Sequence, residues 1–350
     1  MTDPRRRRSQ LGLTLIELML SIAIGLVVVG AVTYLYVGSR GAYRGNEALA
    51  RIQEAGRFGL DSITRDIRRS GALGCGSRLS VASGQPINVN VIAPAGLTVD
   101  AASAIAGFTT GWVQPTGAPT YSKGDVLQLQ IARGAPVRVL DASGSAAGTV
   151  TIASNKADDG SENFKVADYA VLASCSAALV LGVTASPGAV TNATLGVSPG
   201  GLMPGVAGDN YATTIQHFDQ VTYYIGTAPN STRSALYRYS RRDGAAEELV
   251  ENIEDMEVVY GIATAGTITS PTGTGVAITA FKHADTMVAG ATGDWPNVVS
   301  VRVSLMAVSD QPGAAAPRQV LQFRGASLIA PDTRLRQVFT GTAAVRDRVQ

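Results

Sequence analysis

The sequence predicts an α+β chain: one long N-terminal helix, membrane-spanning in its first half, packed in its second half against a C-terminal antiparallel β-rich head. Three observations predict it. Leu18–Val37 is a run of 20 residues without a charge, about 30 Å of helix and the thickness of a bilayer's hydrocarbon core. Beyond that run, Leu49, Ile52, Ala55, Leu60, Ile63 and Ile67 recur at spacings of three to five and mark one apolar helix stripe. From residue 71 onward, short apolar or alternating runs are punctuated by Gly, Pro, Asp and Ser.

The helix is justified from its ends inward. Arg5–Arg8 stand just before the apolar run, so the positive-inside bias keeps the N-terminus cytoplasmic and sends the rest across the membrane. A cleaved secretory signal would end in a small-residue site, and Ser39-Arg40-Gly41-Ala42 is a poor match, so a retained anchor is expected. Glu47–Arg51, Arg57–Asp61 and Asp61–Arg65 fall at i,i+4, where opposite charges support a helix. Arg68 and Arg69 suit a last turn and Gly71 a stop, which gives one helix over about 13–70. The alternative is a membrane helix separated from a surface helix at Gly38, Gly41 or Gly45. Gly56 and Gly59 either weaken the helix or let a sheet approach closely.

Glu17 stands out, because a carboxylate at the edge of a membrane segment is costly unless it snorkels or is paired. Its context, Gly12-Leu13-Thr14-Leu15-Ile16-Glu17, resembles the type III signal of type IV pilins and their relatives. The resemblance implies a leader over 1–12, cleaved between Gly12 and Leu13 by a prepilin peptidase that then methylates the new amine. It also implies that Glu17 pairs with the N-terminal amine of a neighbouring subunit, so that its charge is compensated only in the assembly. Leu13 departs from the usual Phe.

A longer stretch, GSRGAYRGNEALARIQEAGRFGLDSITRDIRRSGALGC at 38–75, is similar to the corresponding segment of PilW-type minor pilins. AIAGFTTGW (104–112), GDVLQLQIARG (124–134), ADYAVLASCSAALVL (167–181), SALYRYS (234–240), EELVENIEDMEVVYG (247–261) and LRQVFTGTAAVRDR (335–348) resemble further segments of that family in order. What the resemblance implies is a pilin-like protein of the inner membrane, with its head in the periplasm and then in a pilus. Its expected partners are the prepilin peptidase, other minor pilins and the major pilin through the N-terminal helix, and a pilus-tip adhesin as a further candidate.

In the head, runs at 125–132, 136–140, 149–153, 169–183, 221–226, 234–240, 256–262, 299–308 and 319–330 are expected as strands. A short acidic helix is expected near Ala246–Asn252, and 183–210 and 265–297 are expected as loops or insertions. One head domain over 71–350 is the reading, with two subdomains split near residue 210 as the alternative. The chain has two cysteines, Cys75 and Cys175; an even pair outside the cytoplasm suggests one disulfide, and two separate buried thiols are the other reading.

Charge and motif content exclude several functions. Of 29 Lys+Arg and 27 Asp+Glu, residues 1–12 hold four Arg and one Asp, so the remainder is close to neutral and offers no nucleic-acid surface. His217 and His283 lack spaced partners and read as surface or packing residues. No GxSxG, HExxH or Walker A motif occurs, and PTGTGVAI lacks the strand–Gly–helix context of a nucleotide site. The acidic run of Glu247, Glu248, Glu251, Glu254, Asp255 and Glu257 reads as a solvated face rather than a calcium site. No catalytic residue, cofactor or metal is expected. The function expected is that of a minor type IV pilin, part of the complex that primes or tips a pilus. A GspJ-like minor pseudopilin of type II secretion and a membrane-anchored binding protein that never polymerises are the alternatives.

Overall fold

The computed structural model of the chain describes residues 14–71, 88–91, 104–142, 148–174, 177–198, 213–263, 277–289, 293–312 and 318–345. Gly12, Leu13, Cys75 and Cys175 lie outside the described residues. Helix α1 runs unbroken over Leu15–Arg69, through Gly38, Gly41 and Gly45. Thr14 caps it, its Oγ1 accepting the Glu17 N–H at 3.3 Å. Ser70 ends it in an extended conformation, and Gly71 follows at φ +77°.

Sixteen strands follow among the described residues. The first ten are β1 (Asn88–Val91), β2 (Ile105–Phe108), β3 (Thr120–Asp141), β4 (Thr149–Ser154), β5 (Tyr169–Ala173), β6 (Ala177–Ala185), β7 (Thr191–Ser198), β8 (Thr214–Thr227), β9 (Ser234–Ser240) and β10 (Ala245–Glu251). They form one sheet in which β3 and β8 pair with each other as well as with other strands. The pairings β3–β4–β7–β6–β5–β8–β3 therefore close into an antiparallel ring. Its interior is filled by Val139, Ile152, Phe164, Leu172, Leu181, Leu195 and Ile215. A second sheet is ordered β12 (Ile278–Lys282), β11 (Ile253–Ala263), β13 (Val298–Val308), β16 (Arg336–Ala344). The hairpin β14 (Val320–Phe323)–β15 (Ala326–Ile329) stands apart, turning through Arg324 and Gly325, both at positive φ.

The larger core lies where α1 meets both sheets. Ile52, Ile63 and Ile67 of the helix pack there with Leu127 and Leu129 of β3, Tyr223 of β8, Leu236 of β9 and Val303 and Leu305 of β13. The two helix glycines of this half are explained by contact. A Cβ on Gly56 would stand 2.2 Å from the Phe339 ring, and one on Gly59 would stand 3.0 Å from Leu305. Only glycine lets the sheet come this close.

Three expectations need correction. Ala246–Asn252 is not a helix: β10 pairs antiparallel with β9, a bulge sets Val250 into the core, and Asn252 at φ +61° ends the strand. The helix-favouring Ala and Glu residues are overridden by that pairing, which Tyr237 reinforces by donating to Glu248 at 2.7 Å. Residues 183–210 are not merely loop, because β7 turns Ala193, Leu195 and Val197 into the closed ring. Within 265–297 the chain forms β12 and single 3-10 turns at Ala284–Thr286 and Trp295–Asn297. Two predicted runs also divide in two: 169–183 into β5 and β6, and 319–330 into β14 and β15.

Candidate functional site

The first half of α1 is where the sequence places its functional signal. From Leu15 to Val37 every residue is exposed, including Leu15, Ile16, Leu20, Leu26 and Leu35. It is the one helix among the described residues long and apolar enough to cross a membrane, judged by length and composition. An apolar surface this long is unfavourable in water and calls for lipid or other helices around it. Glu17 sits at the third helical position, where Thr14-Leu15-Ile16-Glu17 has the form of a capping box. Its backbone is satisfied through Thr14, and its carboxylate has no partner among the described residues. A negative charge there also complements the helix dipole.

The second half of α1 is fixed to the head by polar contacts as well as apolar ones. Asp66 is buried, accepting from Tyr223 Oη at 2.7 Å and from Arg238 Nε at 3.1 Å. Burial, and the Asp66 charge after it, push the Tyr223 phenol far above its ordinary range, so it stays a neutral donor. Ser70 Oγ donates to Ala104 O at 2.6 Å and Gly71 N–H donates to Gln130 O at 3.1 Å. The Ser70 and Gly71 backbone donors at the helix end are thereby satisfied as the chain joins the sheet. No local signal marks the Asp66–Tyr223–Arg238 link, because Tyr223 and Arg238 lie 157 and 172 residues from Asp66.

The remaining charged clusters hold the head together. Arg336 is buried and donates to Glu254 Oε2 at 2.6 Å and Asp332 Oδ1 at 2.6 Å, holding the Asp332 carboxyl far below the usual carboxylate range. Arg324, at the hairpin turn, donates to Asp125 Oδ1 at 3.1 Å and to Met256 O at 2.7 Å. The acidic run is thereby divided among partners: Glu254 serves Arg336, Asp255 lies 3.4 Å from Arg324, and Glu257 lies 3.9 Å from His283. His217 is buried, stacked at 4.3 Å on Phe164, with Nε2 2.9 Å from Asn163 Oδ1. Burial lowers its pKa to about 4, which fits a packing residue.

A capped, exposed apolar helix continuous with a β-rich region is consistent with a pilin-like α+β fold. Comparison with known families gives two matches: residues 7–33 fit the prokaryotic N-terminal methylation motif, and residues 222–347 fit the family described as Type IV Pilus-assembly protein W. Together they support a PilW-type minor pilin of the type IV pilus, a family whose role is structural rather than catalytic. The first match contains Gly12, Leu13 and Glu17; the second runs from β8 into the segment after β16. Comparison with curated proteins gives no match, and comparison with solved structures gives none. The apolar helix and the methylation motif suggest membrane anchoring.

Proposed function

We propose that this chain is a minor type IV pilin that acts in the complex priming or tipping a pilus. In this reading the prepilin peptidase cuts between Gly12 and Leu13 on the cytoplasmic side, removing the leader 1–12, and the new amine is methylated. The chain crosses the inner membrane once, over about 18–37, and carries residues 71–350 as a periplasmic head, with Cys75 and Cys175 joined as a disulfide. The partners are other minor pilins and the major pilin, met through the helix. One observation carries the reading: a single helix, apolar and unburied over Leu15–Val37, runs into the core of the head at Ile52. A helix of this kind ties whatever holds its first half to the position of the head.

Glu17 supplies the register. Its carboxylate would pair with a neighbour's N-terminal amine, a cation that exists at that position only after cleavage. The test separates this role from capping. Glu17→Gln keeps the third-position group of a capping box and removes the charge, whereas Glu17→Ala removes both. Both variants should be cleaved, as N-terminal analysis of the membrane-bound chain would record, and both should lose incorporation into the complex. If Glu17→Gln assembles normally, the residue is only a cap. A chain that keeps Arg5–Arg8 in cells with an active prepilin peptidase would overturn the pilin reading in favour of an anchored binding protein. A processed chain recovered with secretion pseudopilins instead would favour the GspJ-like role.

A further inference from the structure

Where the apolar run ends, α1 turns two tyrosines and two arginines to the same side. Tyr36, Arg40, Tyr43 and Arg44 are spaced i, i+4, i+7 and i+8, which share one face of a helix. All four are exposed. Higher on the helix, Arg51 pairs with Glu47 at 2.8 Å and Arg65 with Asp61 at 2.6 Å. Arg40 and Arg44 have no such partner among the described residues. Two unpaired arginines beside the far end of a membrane segment also run against the bias that keeps basic residues on the cytoplasmic side. An anion outside the chain would offset both costs.

We infer that this face binds the phosphates of anionic phospholipids in the leaflet on the head's side, and so fixes the height of the head above the bilayer. The inference rests on the proposed pilin reading for which side the head occupies and for loss of the leader. Height selects the ligand. At 1.5 Å per residue, Arg40 stands about 5 Å and Arg44 about 10 Å past Val37, for a helix near the membrane normal. The headgroup layer is about 5–8 Å deep on each side of the hydrocarbon. Side chains on a helix tilt toward its N-terminus, so both arginines and Tyr43 reach back toward the bilayer. Glu47, about 15 Å past Val37, stands beyond that layer with its partner Arg51. The headgroups therefore meet two positive charges and no negative one from this stretch of helix.

The side-chain chemistry agrees with that ligand. A guanidinium presents a planar fork of donors that matches two phosphate oxygens. Tyrosine places its ring at the acyl boundary and its hydroxyl in the polar layer. Tyr36 lies one turn below Arg40, and Tyr43 lies between the two arginines in height. Leader removal makes the contact matter more. Cleavage after Gly12 discards Arg5–Arg8, and Leu13–Val37 holds no Lys or Arg. Arg40 and Arg44 then become the basic residues nearest the bilayer.

The test uses the full chain purified from its native membrane, with its N-terminus read by intact mass. It is reconstituted into vesicles of phosphatidylcholine and phosphatidylglycerol in equal parts, and the lipids retained through gentle detergent extraction are counted. Phosphatidylglycerol should be retained about fivefold over phosphatidylcholine, the factor equivalent to about 1 kcal/mol per basic residue at an anionic surface. Arg40→Gln with Arg44→Gln should bring that ratio close to one. Arg57→Gln with Arg69→Gln removes the same charge about 30 and 48 Å past Val37 and should leave it unchanged. All four positions are exposed and glutamine is a good helix former, so both double variants should melt as the parent does. A nitroxide at the exposed Asn46 should report one narrow depth, which broadens only in the Arg40→Gln, Arg44→Gln chain. No lipid preference in the parent, an equal loss in both double variants, or an unchanged depth would each overturn the inference. Displacement of the lipid by inorganic phosphate, but not by chloride at matched ionic strength, would assign the site to a free anion and overturn it too. Failure of the pilin reading appears separately, as an intact mass that still includes the leader.

Discussion

At the residue scale, Asp66 shows how a helix is held in one position on a sheet. Apolar stripes tolerate sliding, but a buried carboxylate satisfied by Tyr223 and Arg238 has one place to sit. Asp66→Ala would leave the Arg238 guanidinium largely buried beside no counter-charge, which should cost about 3–5 kcal/mol in urea unfolding. Adding Arg238→Met should recover part of the loss, because an apolar replacement of the pair is far less costly than half of it. Equal stability of the single and double variants would show that the pair is not coupled. His217 makes a prediction in pH. Its Nδ1 has no hydrogen bond, and Asp168, Asp219, Arg133 and Arg242 surround the ring. Burial holds the folded pKa at about 4, below the ordinary 6.5, so the unfolded chain binds the proton first as pH falls. The contribution of neutral His217 is complete above pH 6.5 and is lost as pH falls from 6.5 to about 4. The change amounts to roughly 3 kcal/mol at most. Melting temperatures across that range should fall less steeply in His217→Gln. An unchanged slope would assign the acid sensitivity to the carboxylates instead.

At the element scale, legibility followed the range of the interactions that shape each element. The helix was readable to within two residues at each end, because capping, apolar spacing and i,i+4 pairs are all local. β9 is expected over 234–240 and occupies those residues, a run with two tyrosines bounded by a turn on each side. β10 was misread because Ala-Ala-Glu-Glu-Leu carries a helical preference that only pairing with β9 overrides. β7 lies in a stretch that reads as loop although Ala193, Leu195 and Val197 alternate correctly, since threonine and glycine between them look like turn residues. Of the candidate site, the Gly12–Glu17 motif is legible because it is one contiguous run of the chain, within the residues 7–33 that fit the N-terminal methylation motif. The Asp66–Tyr223–Arg238 link is not, because Tyr223 and Arg238 stand 157 and 172 positions from Asp66. Gly56 and Gly59 leave two readings open in the sequence, and only the approach of Phe339 and Leu305 decides between them.

At the scale of the whole molecule, the two largest hydrophobic clusters among the described residues treat the helix differently. The closed ring buries Val139, Phe164, Leu181 and Leu195 without any helix residue, whereas the larger core includes Ile52, Ile63 and Ile67. Burying three isoleucines contributes at most about 5–9 kcal/mol, comparable with the entire stability of an ordinary domain. The second half of α1 is therefore part of the head's core, and the first half, wholly unburied, contributes nothing to it. Two truncations separate the halves. A chain starting at Asn46 keeps Ile52 and Asp66 and should be soluble, with one cooperative thermal transition. A chain starting at Gly71 uncovers Leu236, Val303 and Leu305 and strands Arg238 and Tyr223 without Asp66. It should bind a hydrophobic dye and lose the cooperative transition, while the closed ring retains part of the β-sheet circular dichroism. If the chain from Gly71 melts as sharply as the chain from Asn46, the helix is an appendage, and a pull on its membrane half would not be carried into the head. Loss of cooperativity only in the shorter chain would mean that the segment from Asn46 to Arg69 belongs to the head as firmly as any strand, so that force or position set in the membrane is transmitted to every surface the head presents.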